Sequence, residues 1–87
     1  MADISVRFLF SPHFVRSYAK APRAVQQAFA KQSELLLADF RHPSVRAKKY
    51  GVSGDLWQAR VNASWRFYFT VEGDTYHLHE IRAHPKK

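Results

Sequence analysis

The chain has 87 residues, which leaves room for one domain, residues 1–87, and one core. Hydrophobic residues make up 46% and the formal charge is +7, so the composition excludes a disordered chain and asks for a polyanionic partner: nucleic acid, an anionic membrane surface or an acidic protein. Cysteine is absent, which removes disulfide stapling, cysteine-bound zinc and thiol chemistry. No apolar run approaches the roughly 18–20 residues of a membrane span, and the first residues lack a secretion-signal pattern, so a cytoplasmic protein with no membrane partner is expected.

In Ile4–Phe10, residues Ile4, Val6, Phe8 and Phe10 share one side, which predicts a strand. Ser11-Pro12 reads as an N-cap followed by proline in the first helical turn. A short helix then runs to about Lys20, and Pro22 starts a second. Val25, Phe29, Leu36 and Phe40 follow helical spacing, with Ala28 and Leu35 widening the stripe, and Arg41-His42-Pro43 ends it. Ser44–Tyr50 is a short basic strand and Gly51–Asp55 a turn. Leu56–Val61, Trp65–Val71 and Thr75–Ile81 are rich in aromatic and β-branched residues. The order β-α-α-β-β-β-β predicts an α+β fold: two N-terminal helices on one face of a mostly antiparallel sheet of four or five strands.

With helices on one face only, each strand should be apolar inward and polar outward. A three-residue connector, Asn62 to Ser64, pairs Val61 with Trp65, Arg60 with Arg66, Ala59 with Phe67, Gln58 with Tyr68 and Trp57 with Phe69, which gathers the large apolar residues on one side. Arg60 and Arg66 then become cross-strand neighbours on the open face. Like charges in that relation repel, and an external phosphate would relieve them through two guanidinium forks; otherwise the two side chains splay into solvent. A Gly73-Asp74 turn with glycine first, as type II′ prefers, pairs Val71 with Tyr76 and Phe69 with Leu78 and sends His77 and His79 to the open face beside Tyr68. The alternation fails near Glu80 and Ile81, so a bulge is expected there. Six Lys/Arg residues (Arg41, Arg46, Lys48, Lys49, Arg60 and Arg66) lie between positions 41 and 66 against one acid, Asp55.

His77-x-His79 with His84 is a weak metal pattern, because the spacing is short, strand alternation explains the first pair and no carboxylate is firmly placed with them; no metal or cofactor is expected. His84 is a candidate proton-transfer group in a basic tail. Tyr68 reads either as a base-stacking platform between basic residues or as a plain strand aromatic. Gly-rich phosphate loops and serine-nucleophile signatures are absent from the sequence.

Strand Ile4–Phe10, the helical pair, Val45-Arg46-Ala47-Lys48-Lys49-Tyr50, Leu56-Trp57-Gln58-Ala59-Arg60-Val61, Trp65-Arg66-Phe67-Tyr68-Phe69 and Leu78-His79-Glu80-Ile81-Arg82-Ala83-His84 together resemble the RelE/ParE superfamily of bacterial toxins from type II toxin–antitoxin systems. The resemblance implies a RelE-like sheet with the first strand beside the last. It also implies a ribosome-associated, metal-independent endoribonuclease (an mRNA interferase) that cleaves mRNA by attack of the RNA 2′-hydroxyl. Arg60, Arg66 and His84 would be catalytic, and Arg46, Lys48, Lys49, Gln58, Tyr68 and His79 would contact RNA, with His79 a candidate base. A cognate acidic antitoxin is the implied partner, in an oligomer with the toxin and covering the basic face. Two other readings stand beside this one: a ParE-like inhibitor of DNA gyrase, and a non-catalytic, decayed domain that binds RNA or antitoxin.

Overall fold

One strand, two helices and four further strands succeed one another in the computed structural model, which describes residues 7–50 and 55–84. They are β1 (Arg7–Phe10), α1 (Pro12–Lys20), α2 (Arg23–Ala38), β2 (Lys48–Lys49), β3 (Trp57–Arg60), β4 (Trp65–Glu72) and β5 (Thr75–Ala83). The expected strand residues Ile4–Val6, most of the expected turn at 51–55 and the tail from Pro85 lie outside the described residues. The sheet has five strands in the order β1-β5-β4-β3-β2. Only β1 and β5 run parallel, and the first strand does lie beside the last, as the family resemblance implied.

Local chemistry accounts for the boundaries. Ser11 caps α1 by accepting the Phe14 N–H at 2.9 Å, and Pro12 follows in the first turn. α2 ends at Ala38, earlier than the apolar spacing implied, because Asp39 turns extended and its carboxylate accepts the Arg41 N–H at 3.0 Å. Phe40 therefore leaves the helix, yet its ring still packs on Trp57 at 4.9 Å and Tyr76 at 5.9 Å. The strand expected over Ser44–Tyr50 shrinks to two residues. Arg46 adopts φ +54°, a left-handed conformation that interrupts extended backbone.

The register of β3 on β4 is the one the three-residue connector predicted: Trp57 opposite Phe69, Gln58 opposite Tyr68, Ala59 opposite Phe67 and Arg60 opposite Arg66. Gly73 supplies φ +61° for the β4–β5 turn and Asp74 does not share it, as a type II′ turn requires. Val71 pairs with Tyr76 and Phe69 with Leu78. The bulge falls slightly earlier than expected: Phe69 faces Leu78 but Tyr68 faces Glu80, so His79 is the extra residue. From there the ladder resumes with Phe67 opposite Ile81, Arg66 opposite Arg82 and Trp65 opposite Ala83.

Phe67, Phe69, Leu36, Leu78, Ile81 and Val45 are fully buried between helices and sheet. Phe29 on α2 meets Phe67 edge-on at 5.1 Å and Phe14 at 5.4 Å, which ties both helices to the centre of β4. β1 stops opposite Leu78, and α1 takes over the exposed edge of β5. Ser11 Oγ donates to the His79 carbonyl at 3.2 Å, and Ser17 Oγ accepts the Ile81 N–H at 3.3 Å. One face of the sheet is thereby covered by helices and the other is left for the polar residues.

Candidate nucleic-acid interface

Residues directly opposite one another across strands project to the same face. The pairings therefore build two rows on the side away from the helices. One runs Arg60–Arg66–Arg82 over β3, β4 and β5; the next runs Lys48–Gln58–Tyr68–Glu80 over β2 to β5. Sequence parity identified the first two arginines and missed the third. An unbroken alternation would set Arg82 opposite Trp65, on the apolar side; the bulge at His79 reverses the parity and brings it beside Arg66. The detectable signal was the three-residue step from Leu78 to Ile81, which a period of two cannot bury on one side.

Arg66 is held in place by its own connector. Its Nη1 donates to the Asn62 carbonyl at 2.8 Å and the Trp65 carbonyl at 3.0 Å, while Asn62 Oδ1 accepts the N–H groups of Ser64 and Trp65, each at 2.9 Å. Partial burial, reinforced by the charges of Arg60 and Arg46, holds its guanidinium below the usual arginine value; Tyr68 acts in the opposite sense. Among the described residues no carboxylate pairs with Arg46, Arg60 or Arg66. Arg82 is placed differently. It lies over the Tyr68 ring at 4.7 Å and reaches Glu80 at 3.5 Å. The Tyr68 hydroxyl is the main reason that Arg82 sits above its usual value, against an opposing contribution from partial burial.

A cleft of about 460 Å³ opens beside these rows, lined by Arg46, Lys48, Lys49, Tyr50, Gln58, Arg66 and His84. Six of the nine residues singled out from sequence thus meet in one concavity. His84 is exposed, and its backbone N–H donates to the Ser64 carbonyl at 2.6 Å, which binds the end of β5 to the connector that holds Arg66. Arg60 stands in the arginine row next to the cleft. Lys49 lines the cleft but pairs with Trp57, with its Nζ 5.7 Å from that ring.

Two expected site residues differ in their surroundings from what the parity argument implied. Tyr68 is on the predicted face, yet it is only 3% exposed, under Arg82 and against the Tyr50 ring at 5.1 Å. It is a floor that supports Arg82, in place of an open stacking platform. His79 is in the bulge, with Nε2 2.9 Å from Thr70 Oγ1. Thr70 lies four residues along β4 from Arg66, roughly 13 Å at strand spacing, so His79 is outside the cleft. His77 pairs with Glu72 at 3.2 Å, and among the described residues no group of three His, Asp or Glu side chains comes together as metal ligands would.

No protein-family model and no curated protein matches this chain. Solved structures do. A chain of the archaeal RelE–RelB complex from Pyrococcus horikoshii OT3 superposes with a TM-score of 0.76 at 16% identity, covering 95% of this chain and 99% of that one. The E. coli DinJ–YafQ toxin–antitoxin complex gives 0.76 at 10% identity over 92% and 93% of the two chains, and the isolated E. coli RelE toxin 0.75 at 13% over 95% and 88%. Agreement over nearly whole chains at such low identity speaks for architecture, and on it this protein has the fold of the RelE-type toxins.

Proposed function

We propose that this protein is the toxin of a toxin–antitoxin pair and acts in the cytoplasm as a metal-independent endoribonuclease on mRNA at the ribosome. One observation carries the reading: Arg60, Arg66 and Arg82 form a continuous row across three strands, next to a cleft that also holds His84, and neither Arg60 nor Arg66 has a carboxylate partner among the described residues. Such a row is costly without an anion and suited to a phosphodiester with one. The likeness to toxins crystallised with RelB and DinJ supports an antitoxin partner, an acidic protein that would cover the basic face.

The chemistry follows from the donors present. Arg46, Lys48 and Lys49 guide the RNA backbone into the cleft. The 2′-hydroxyl attacks the adjacent phosphorus and gives up its proton to a base. Arg66, with Arg60 and Arg82 beside it, takes up the charge that grows on the phosphate oxygens; loss of one such donor costs on the order of 10²–10³ in rate. His84 gives a proton to the departing 5′-oxygen, worth about 10²–10⁴. The products are a 2′,3′-cyclic phosphate and a 5′-hydroxyl.

The test is induced expression with transcript mapping. Growth arrest with new 5′-hydroxyl ends inside mRNA, both abolished by Arg66→Ala, is expected. Arrest with intact transcripts and inhibited DNA supercoiling by the purified protein would replace this reading with a gyrase inhibitor. Folded, abundant protein with no arrest would leave a binding domain.

A further inference from the structure

α2 carries one polar residue inside its apolar stripe. Gln32 is 6% exposed and makes three hydrogen bonds. Its Nε2 donates to the Arg60 carbonyl at 2.9 Å and to the Ser44 carbonyl at 3.0 Å, and its Oε1 accepts from Ser44 Oγ at 3.2 Å. Two carbonyl neighbours demand the NH₂ end of the amide, so its orientation is dictated by its surroundings.

The bonds fall where the sheet has lost a strand. β2 pairs only with Trp57 and Gln58 and ends before it reaches Arg60. The Val61 N–H points into the β3–β4 ladder, to the Trp65 carbonyl at 2.9 Å, so by strand alternation the Arg60 N–H and C=O point the other way, to the uncovered edge. There the Arg60 N–H meets the Val45 carbonyl at 2.7 Å, and its C=O meets Gln32. Val45, itself fully buried, is followed by Arg46 in its left-handed conformation. One side chain therefore ties down the last residue of β3 and, through Ser44, the segment that presents Arg46. Both of these arginines flank Arg66, and each repels it.

We infer that Gln32 is a positioning residue for the phosphate-binding arginines: it stands in for the missing strand edge and holds Arg60 and Arg46 beside Arg66 against their repulsion. The inference rests on the polyanion-binding reading above, and its test is arranged so that the two fail separately.

Gln32→Met keeps length and removes the donors. Binding of a single-stranded 2′-O-methyl RNA oligonucleotide, which resists cleavage through the 2′-oxygen, is expected to weaken about three- to tenfold, the worth of one or two hydrogen bonds. In an Arg46→Ala/Arg60→Ala background the same substitution should change affinity much less, because both groups it positions are gone. Ser44→Ala, which leaves both carbonyl bonds, should bind as the unaltered protein does. Exchange of the Arg60 amide should accelerate in Gln32→Met, a readout that needs no RNA. Full affinity in folded Gln32→Met, or an equal loss with and without the two arginines, overturns the inference and leaves Gln32 a packing residue. If the unaltered protein fails to bind the oligonucleotide, the functional reading falls, while unchanged Arg60 exchange in the variant would independently refute the clamp. Should Gln32→Met not fold, Gln32→Asn, too short to reach both carbonyls, carries the same expectations.

Discussion

Arg82 lies directly opposite Arg66 on the neighbouring strand, and it does so because His79 is an extra residue in β5. The bulge converts a pair of facing arginines into a row of three. It also returns Ile81 to the core beneath them, where it is 1% exposed. A single irregularity thus serves packing and charge placement together.

Arg66→Ala and Arg82→Ala are each expected to lower RNA cleavage on ribosomes by on the order of 10²–10³. Their effects on growth arrest should run in parallel. For cleavage-resistant single-stranded RNA, each substitution that removes a phosphate contact should also reduce the slope of log affinity against log salt by about 0.7. An unchanged slope for Arg82→Ala would place that side chain outside the interface.

Tyr68 supports Arg82 through its ring face. Tyr68→Leu should therefore cost about 0.5–2 kcal/mol of that contact and release Arg82, with weaker RNA binding. Tyr68→Phe keeps the ring and removes the hydroxyl that also holds Arg82, so binding should fall less than in Tyr68→Leu. If Tyr68 instead stacked directly on a base, the leucine variant would show the 1–3 kcal/mol loss of a stacking residue even in an Arg82→Ala background.

His79→Ala should leave cleavage within about twofold, since the ring bonds Thr70 far from the cleft, and should lower stability by about 0.5–1.5 kcal/mol. Thermal melting and cleavage rate on the same sample separate the two. His84→Ala should behave in the opposite way, with little change in melting and a rate loss of about 10²–10⁴.

Burial holds the Tyr76 phenol above its usual value. The unfolded chain ionises near pH 10, before the folded one does, so Tyr76 supports stability below that pH and the support is lost as pH rises above it. Tyr76→Phe should flatten the alkaline limb of the stability curve and leave stability at pH 7 nearly unchanged, as denaturant titrations from pH 7 to 11 would reveal.

Phe67, fully buried and edge-on to Phe29, anchors β4 to α2. Phe67→Ala should cost about 3–5 kcal/mol, enough to unfold much of a domain this small. Because its neighbours Arg66 and Tyr68 face the other side, a cavity-tolerant variant such as Phe67→Leu should keep RNA affinity while its melting temperature falls.

The residues of β3 and β4 could be paired from sequence because both strands alternate cleanly and only a three-residue connector brings Ala59, Phe67 and Phe69 to one side. The Ser11-Pro12 cap and the Gly73 turn were legible for a similar reason: each is decided by a residue's own backbone chemistry and its near neighbours. Arg60 and Arg66 followed from that local logic once the helices were assigned to one face of the sheet.

Other features depend on what arrives from elsewhere in the chain. The place of the bulge was settled by the need to bury Ile81 and by serines of α1 that bond the free edge of β5. Parity assigned Tyr68 to a face, but only the neighbouring strands bring Arg82 and Tyr50 to cover it. Gln32 drew no notice in the sequence, and its meaning lies in two carbonyls, 12 and 28 residues away, that no spacing rule connects. Sequence by itself determined the order of the elements, the β3–β4 register and the placement of Arg60 and Arg66, since these arise from alternation, capping and turn chemistry over a few residues. Tertiary structure alone decided that the third arginine joins the row, that His84 meets the cleft and that His79 does not, because those outcomes depend on long-range packing and on where unpaired backbone groups find partners.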